Sequence, residues 1–233
     1  LDGTTLGRDA DDVLRQLRNL ILLSCADKSL IIFFVTLLLS LPLGMAVCAG
    51  RRSKNPVIAW LIRIYISVMR GTPLMLQLAV VYFCPWYLFH IKLSVFGSNY
   101  RLYAALFAFI INYAAYFAEI FRSGLESIPV GQYEAAGVLG YNKRQTFSVI
   151  ILPQMVRRVL PTVTNEVITL IKDTSLAYTI GVIEMFTKAE QISANMTSIM
   201  PLLLAGGIYY VFNFLVATGM EKLEKKLNCY SIK

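Results

Sequence analysis

The sequence predicts an all-α membrane protein of about five transmembrane helices with one long polar loop on the cytoplasmic side. Three observations lead there. The 233 residues are 57% hydrophobic and 15% charged, with a mean hydropathy of +0.60, well outside soluble composition. Several apolar stretches reach the roughly 20 residues that a helix needs to cross the hydrocarbon layer. The basic residues behind the net charge of +8 gather at the ends of those stretches, where positive charge marks the cytoplasmic face. The charge is therefore read as a topology signal and not as a surface for nucleic acid. Cys25, Cys48, Cys84 and Cys229 show no CxxC spacing, so buried inert thiols are expected and neither a metal site nor a redox pair.

Taken in order, residues 1–28 read as an extracytoplasmic or interfacial tail. Asp2, Asp9, Asp11, Asp12 and Asp27 stand beside Arg8, Arg15 and Arg18, without the basic-then-apolar order of a cleavable signal. Residues 29–228 read as one transmembrane domain. Its first span is Leu30–Ala49, ending at the basic run Gly50, Arg51, Arg52, Ser53, Lys54, which places that loop inside and the N-terminus outside. The next apolar run, Pro56–Phe89, exceeds one span and is interrupted by Arg63, Arg70, Gly71 and Pro73. It reads as a cytoplasmic helical lead-in followed by span two. Pro73 cannot donate a backbone hydrogen bond and breaks the helix after Arg70, leaving polar backbone that protein or water must satisfy. Arg70, Gly71, Thr72, Pro73 and Gln77 are the candidate gate or helix break.

Residues 90–101 form a short outer loop, and Leu102–Phe121 is span three. Asn112, Tyr116 and Glu119 fall at i, i+4 and i+7, with Ala108 and Ala115 beside them, so this face lines protein or water and not lipid. For Glu119 two readings stand: a translocation-path carboxylate, or one near the cytoplasmic end that pairs with Arg122.

Residues 122–158 form the cytoplasmic loop. Within it Glu134–Pro153, EAAGVLGYNKRQTFSVIILP, reads as two short helices and a hinge. Gly140 stands where a helix C-terminus favours a left-handed residue, and Asn142 with Gln145 has capping-box spacing. Span four starts near Leu160 and runs to Ser175. Its Asn165, Glu166, Thr169, Lys172, Asp173, Thr174 and Ser175 make it too polar to face lipid, since a charge at mid-bilayer costs roughly 3 kcal/mol unless paired or hydrated. A functional cavity or gate is one account of the Lys172–Asp173 pair; a structural ion pair at a subunit interface is the other. Residues 177–193 are amphipathic and read as a short helix near the outer face. Met200–Met220 is span five, with Ala205, Gly206 and Gly207 as a small-residue packing face, and Glu221–Leu227 and the tail 229–233 are cytoplasmic. Five spans with the N-terminus out and the C-terminus in place every basic cluster inside: Arg51, Arg52 and Lys54; Lys143 and Arg144; Arg157 and Arg158; Lys222, Lys225 and Lys226.

No GxxxxGK[ST] occurs, and His90 is the single histidine. Neither a P-loop nor a His-based metal or catalytic constellation is available. The chain is read as not an enzyme, binding no cofactor, no metal and no nucleic acid.

The spacing Glu134, Ala135, Ala136, three residues, Gly140, nine residues, Ile150, one residue, Leu152, Pro153 resembles the EAA loop in permease subunits of ATP-binding-cassette (ABC) importers. Arg70–Leu78, RGTPLMLQL, and NEVITLIKDTSL from Asn165 resemble the polar-amino-acid branch of that family. These motifs spread over most of residues 56–190, and before Leu30 the match weakens, SCADKSL standing where the family commonly has a Gly-to-Thr pattern. The resemblance implies a MetI-like type I importer permease fold in a prokaryotic cytoplasmic membrane. It implies a coupling helix seated in a groove of a separate ABC ATPase subunit, with Gly131, Gln132, Glu134, Ala135, Ala136, Leu139 and Gly140 at the contact. It further implies a soluble solute-binding protein delivering an amino acid to the outer face, a second permease copy (identical or similar), and alternating access. On this reading Asn112, Tyr116, Glu119, Thr169, Lys172, Asp173, Thr174 and Ser175 line the substrate pathway. Glu119, Glu166, Asp173 and Glu184 favour a cationic amino acid, Arg122 and Lys172 offset two of them, and glutamine, glutamate and cystine stay open. An ATP-independent secondary amino-acid transporter is the alternative, which predicts inverted repeats; no segment of this chain has a second copy. A membrane-embedded enzyme would want a clustered catalytic set, which is missing.

Overall fold

Residues 25–91 and 93–228 are described by a computed structural model, and every regular element among them is helical. The expectations for the N-terminal tail up to residue 24, for the tail 229–233 and for Cys229 lie outside the described residues. In chain order the elements are α1 (Cys25–Arg51), α2 (Pro56–Gly71), α3 (Leu74–Phe89), a 3₁₀ turn (Leu93–Phe96), α4 (Tyr100–Glu126) and α5 (Val130–Val138). A single turn (Lys143–Gln145) then runs through a π-helical segment (Thr146–Ile151) into α6 (Leu152–Asp173), followed by a 3₁₀ stretch (Thr174–Ile180), α7 (Met185–Met196) and α8 (Met200–Asn228).

Length and hydropathy qualify three helices as spans by themselves, Asp27–Arg51, Tyr100–Glu126 and Met200–Leu227, and a fourth if α2 and α3 count as one bent pair. The expected span four is helical as α6 but is not apolar enough to qualify. Its Asn165, Glu166, Thr169, Lys172 and Asp173 offset a buried apolar row of Val159, Val163, Val167 and Leu170. Helices also run further than the apolar stretches do. α4 continues to Glu126 and α6 begins at Leu152, so the polar loop is non-helical only in part, and α8 carries on through Glu221–Leu227, with Lys225 Nζ 2.6 Å from Glu221.

The break after Arg70 is where proline chemistry places it. Pro73 stands at the N-cap of α3 with φ −62° and ψ 135°, and the polar backbone is met from within: Gln77 Nε2 donates to the Thr72 carbonyl at 3.1 Å and to its hydroxyl at 2.8 Å. Such internal satisfaction is what lets a helix break at membrane depth.

The chain divides into two compact units. One takes its described residues from Leu1–Leu37, Thr72–Ile110 and Thr169–Leu215. There α3 and α7 both pack on the 3₁₀ stretch Thr174–Ile180, Phe33 meets Phe212 edge-on at 5.6 Å, and Met185, Ala189 and Ala205 form a buried cluster with Ile192, Leu202 and Ile208 around it. Of the expected small-residue face only Ala205 is buried, in that cluster; space around Gly206 and Gly207 is open among the described residues.

The other unit takes its described residues from Leu38–Gly71, Ile111–Ile168 and Val216–Lys233. Close helix approach sets its core. A Cβ on Gly44 of α1 would lie 2.8 Å from Phe117 Cβ and 3.1 Å from the Ala114 carbonyl of α4, and one on Gly124 would collide with Val159 of α6. Ala114, Ala115, Phe117 and Ala118 are fully buried there. Cys48 is also buried and Cys84 of the first unit half-buried, so of these two thiols only that of Cys48 is fully buried.

Candidate translocation and coupling sites

In the second unit the polar stripe of α4 meets the ends of α1 and α2. Asn112 is buried and its Nδ2 donates to the Met69 carbonyl at 3.2 Å, while the Tyr65 hydroxyl donates to the Ile111 carbonyl. These bonds hold the C-terminal turn of α2, and with it Arg70, against α4. The Arg70 guanidinium lies over the Tyr116 ring, 5.5 Å from its centroid, within cation–π range. One turn further, Glu119 accepts from two arginines: Arg122 Nε at 2.9 Å and, from the end of α1, Arg51. Arg122 also donates to Glu126. Glu119 therefore is paired with Arg122, as one of the two sequence readings has it, and it is shared with Arg51, which no local pattern announces.

Two clefts open on this cluster. One, of about 430 Å³, is lined by Arg70, Tyr116, Glu119, Ser123, Arg158 and Glu166 among others; the other, of about 460 Å³, adds Arg51, Arg63 and Ser67 to the same Arg70, Tyr116 and Glu119. The structure thus brings the candidate gate residue Arg70 together with Tyr116 and Glu119. Arg51, Arg63, Ser67, Ser123, Arg158 and Glu166 are lining residues that sequence reasoning left out of the site. Arg51 and Arg158 were absorbed as topology signals, although the polar character of Glu166 beside the buried Val163 and Val167 was a visible clue.

Gly71 belongs to the second unit, and the remaining gate and pathway candidates stand in the first. Thr72 serves the Gln77 closure described above. Thr169 and Lys172 are exposed, Asp173 and Ser175 half-buried, and Thr174 buried. Lys172 and Asp173 are consecutive helical residues and so face different directions. The Thr174 hydroxyl donates to the Ile171 carbonyl at 2.8 Å and the Ser175 hydroxyl to the Lys172 carbonyl at 2.7 Å, which ties the end of α6 into the 3₁₀ stretch. Thr174 also lines a cavity of about 150 Å³ with Ser29, Phe33, Ile171 and Tyr209.

Glu184 takes a different place from the one its charge suggests. It is fully buried and caps α7, accepting from the Phe186 and Thr187 amides at 2.8 Å each, from the Thr187 hydroxyl at 3.0 Å, from the Tyr209 hydroxyl at 3.1 Å and from the Ser29 hydroxyl at 3.4 Å. Five donors meet the carboxylate, so it is not a free anion for a cationic substrate. It joins α1, α7 and α8.

The candidate coupling segment forms an exposed knuckle. α5 follows Pro129, and Gly131, Gln132, Glu134, Ala135, Leu139 and Gly140 are exposed while Ala136 is fully buried. Val138 and Leu139 are 90% and 72% exposed. Gly140 adopts φ +78°, the left-handed conformation expected of it, and the Tyr141 amide closes back on the Ala136 carbonyl at 3.0 Å. Asn142 Oδ1 then accepts from the Arg144 and Gln145 amides, and Gln145 Oε1 from the Asn142 amide at 3.0 Å, completing the capping box. Gln154 of α6 donates to Gln132 of α5 at 3.1 Å, so the knuckle is held to the helix that follows it.

Residues 31–228 match the family described as binding-protein-dependent transport system inner membrane component, and the chain belongs to that family. Among individual relatives it is 36% identical over 193 residues to the L-cystine transport system permease protein TcyB of Bacillus subtilis, covering 82% of this chain and 80% of that one. It is 33% identical over 194 residues to the putative glutamine transport system permease protein GlnP of Rickettsia typhi (83% and 86%) and 35% identical over 212 residues to the nopaline transport system permease protein NocM of Agrobacterium fabrum (89% and 88%). In fold it is similar to a chain of the crystal structure of an amino acid ABC transporter with histidines, with a TM-score of 0.77 at 24% identity over 97% of this chain and 99% of that one. A chain of the MetNI methionine ABC transporter in an inward-facing form gives 0.64 at 16% identity, with the same coverage.

Proposed function

We propose that this chain is the permease subunit of an ABC importer for a polar amino acid. The observation that carries this is the set of curated relatives named for glutamine, L-cystine and nopaline transport, each covering four fifths or more of this chain. ATP hydrolysis then belongs to a partner subunit, for which the exposed knuckle around Val138 and Leu139 offers an apolar contact. A solute-binding protein presents the amino acid at the outer face, a second permease copy completes the path, and the N-terminus lies outside with the C-terminus in the cytoplasm. The chain itself holds no cofactor and catalyses no reaction. Movement of substrate follows closure of the ATPase by rotation of helices about the pathway. Arg70, Tyr116 and Glu119 stand together where helix α2 ends, which supports a gate at that point. The permease domain is residues 29–228, and Thr169, Lys172, Asp173, Thr174 and Ser175 contribute further lining.

Purification of the chain with its neighbouring gene products, followed by ATPase assays with amino-acid-loaded binding proteins, tests this. Co-purification of an ATPase that one loaded binding protein stimulates is the expected result and names the substrate. Uptake of amino acids by the chain alone in ATP-free liposomes would replace the proposal with a secondary transporter.

A further inference from the structure

Helix α2 has a composition that the transport pathway does not account for. Its 16 residues are too few to cross a bilayer. Val57, Trp60, Leu61, Ile64 and Val68 recur at helical spacing on one side, and each is between 42% and 61% exposed. Ala59 and Ile66 are its buried residues. Between the exposed apolar stripe and the buried side run Arg63, Ser67 and Arg70, at i, i+4 and i+7, all exposed. These three line the cleft of about 460 Å³ that also receives Arg51. Its charge is unbalanced: three arginines face one carboxylate, Glu119, which is already shared by Arg51 and Arg122. Among the described residues Arg63 has no carboxylate within ion-pair distance. Arg52 and Lys54 stand just ahead of the helix, and no Asp or Glu occurs between Asp27 and Glu119.

We infer that α2 is an interfacial helix that binds an anionic phospholipid, with the headgroup phosphate in the cleft at Arg63 and Ser67 and the acyl chains along Val57, Leu61, Ile64 and Val68. An amphiphile is the ligand class that meets both halves of the surface. A water-soluble amino acid or inorganic phosphate leaves the apolar stripe unused, and a second copy of this chain docked face to face would bring Arg63 and its basic neighbours against their own kind. A basic edge beside a Trp-bearing apolar edge is the pattern by which helices lie in a membrane interface, with attraction to anionic lipid added to apolar burial.

Trp60 reports on this directly, since the chain has two tryptophans and Trp86→Phe leaves Trp60 alone. The full chain is reconstituted in phosphatidylcholine nanodiscs at low salt, with rising mole fractions of brominated phosphatidylglycerol or brominated phosphatidylcholine. Half-maximal quenching of Trp60 is expected at a several-fold lower fraction of the anionic lipid. Arg63→Gln, an exposed change that leaves the helix intact by circular dichroism, is expected to weaken that preference about fivefold, the weight of one basic residue at a charged lipid surface. Salt at 0.5 M is expected to reduce it too. Equal quenching by the two lipids, or an unchanged preference in Arg63→Gln, overturns the inference. Absence of quenching by either lipid, with Trp60→Cys cross-linking two copies, overturns it in favour of a protein partner.

Discussion

Arg51, the last residue of α1, and Glu119, 68 residues further along the chain on α4, share an ion pair that Arg122 joins from one turn away. Removing the carboxylate leaves two arginines facing each other at a half-buried site. Glu119→Gln is therefore expected to lower the unfolding temperature in detergent and to impair uptake, with the protein still inserted. Breaking a buried pair from one side costs more than removing both partners, so Arg51→Gln with Glu119→Gln is expected to recover about 1 kcal/mol relative to the sum of the single changes. Strict additivity in thermal unfolding would count against a direct coupling.

Gly140 has no heavy atom within 4 Å of an added Cβ, so a side chain there meets backbone strain and not a clash. Left-handed backbone costs an ordinary residue roughly 1–2 kcal/mol, and asparagine less. Gly140→Val is expected to weaken ATPase co-purification and substrate-stimulated hydrolysis while Gly140→Asn retains most of both. Gly140→Asp, which also adds charge at the turn, is expected to uncouple more than Gly140→Asn. Normal stimulation in all three would remove the knuckle from the coupling role.

Glu184→Ala removes the carboxylate acceptor from the Phe186 and Thr187 amides of α7 and from the Ser29 and Tyr209 hydroxyls, while the Thr187 hydroxyl keeps the Val182 carbonyl at 3.1 Å. A loss of about 2–4 kcal/mol is expected, from the desolvation of buried groups left unpaired, read as a lower unfolding temperature. Glu184→Gln is expected to fall between, because its amide turns a donor toward other donors. The preference among amino acids is expected to stay unchanged in Glu184→Gln; a switch in substrate charge preference would show that the carboxylate serves the substrate after all.

Gly124→Ala places a methyl group against Val159. Overpacking of this kind typically costs about 1–3 kcal/mol, and Val159→Ala in the same chain is expected to restore most of it. Measured unfolding temperatures of the two single variants and the double decide the matter.

Local chemistry explains which parts of this molecule were readable in advance. The break at Pro73, the turn at Gly140 and the cap at Asn142 each depend on a few neighbouring residues, and the structure has all three. The helical nature of α6 was also legible, although its buried row and its polar face average to a hydropathy below that of the spans that qualify by length and composition. What depends on distant residues escaped. Arg51 looked like a topology marker because its partner is three helices further on, and Glu184 looked like a free charge because its hydroxyl partners Ser29 and Tyr209 come from α1 and α8. The small-residue face at Gly206 and Gly207 was read from composition alone, which says that helices can approach there but not that any does.

The π-helical segment Thr146–Ile151 has a consequence for how the knuckle is joined to α6. A π turn holds more residues than an α turn, so α6 starts in a rotational phase that the capping turn at Lys143–Gln145 would not otherwise give it. Deleting one residue as the segment relaxed to α geometry would keep that phase, but relaxation with all six residues retained would swing every side chain downstream by roughly 100° about the axis. Val159, Val163 and Val167 would leave the core together, and Glu166 would leave its cleft. The bearing of α6, and not its length, is what those six residues set.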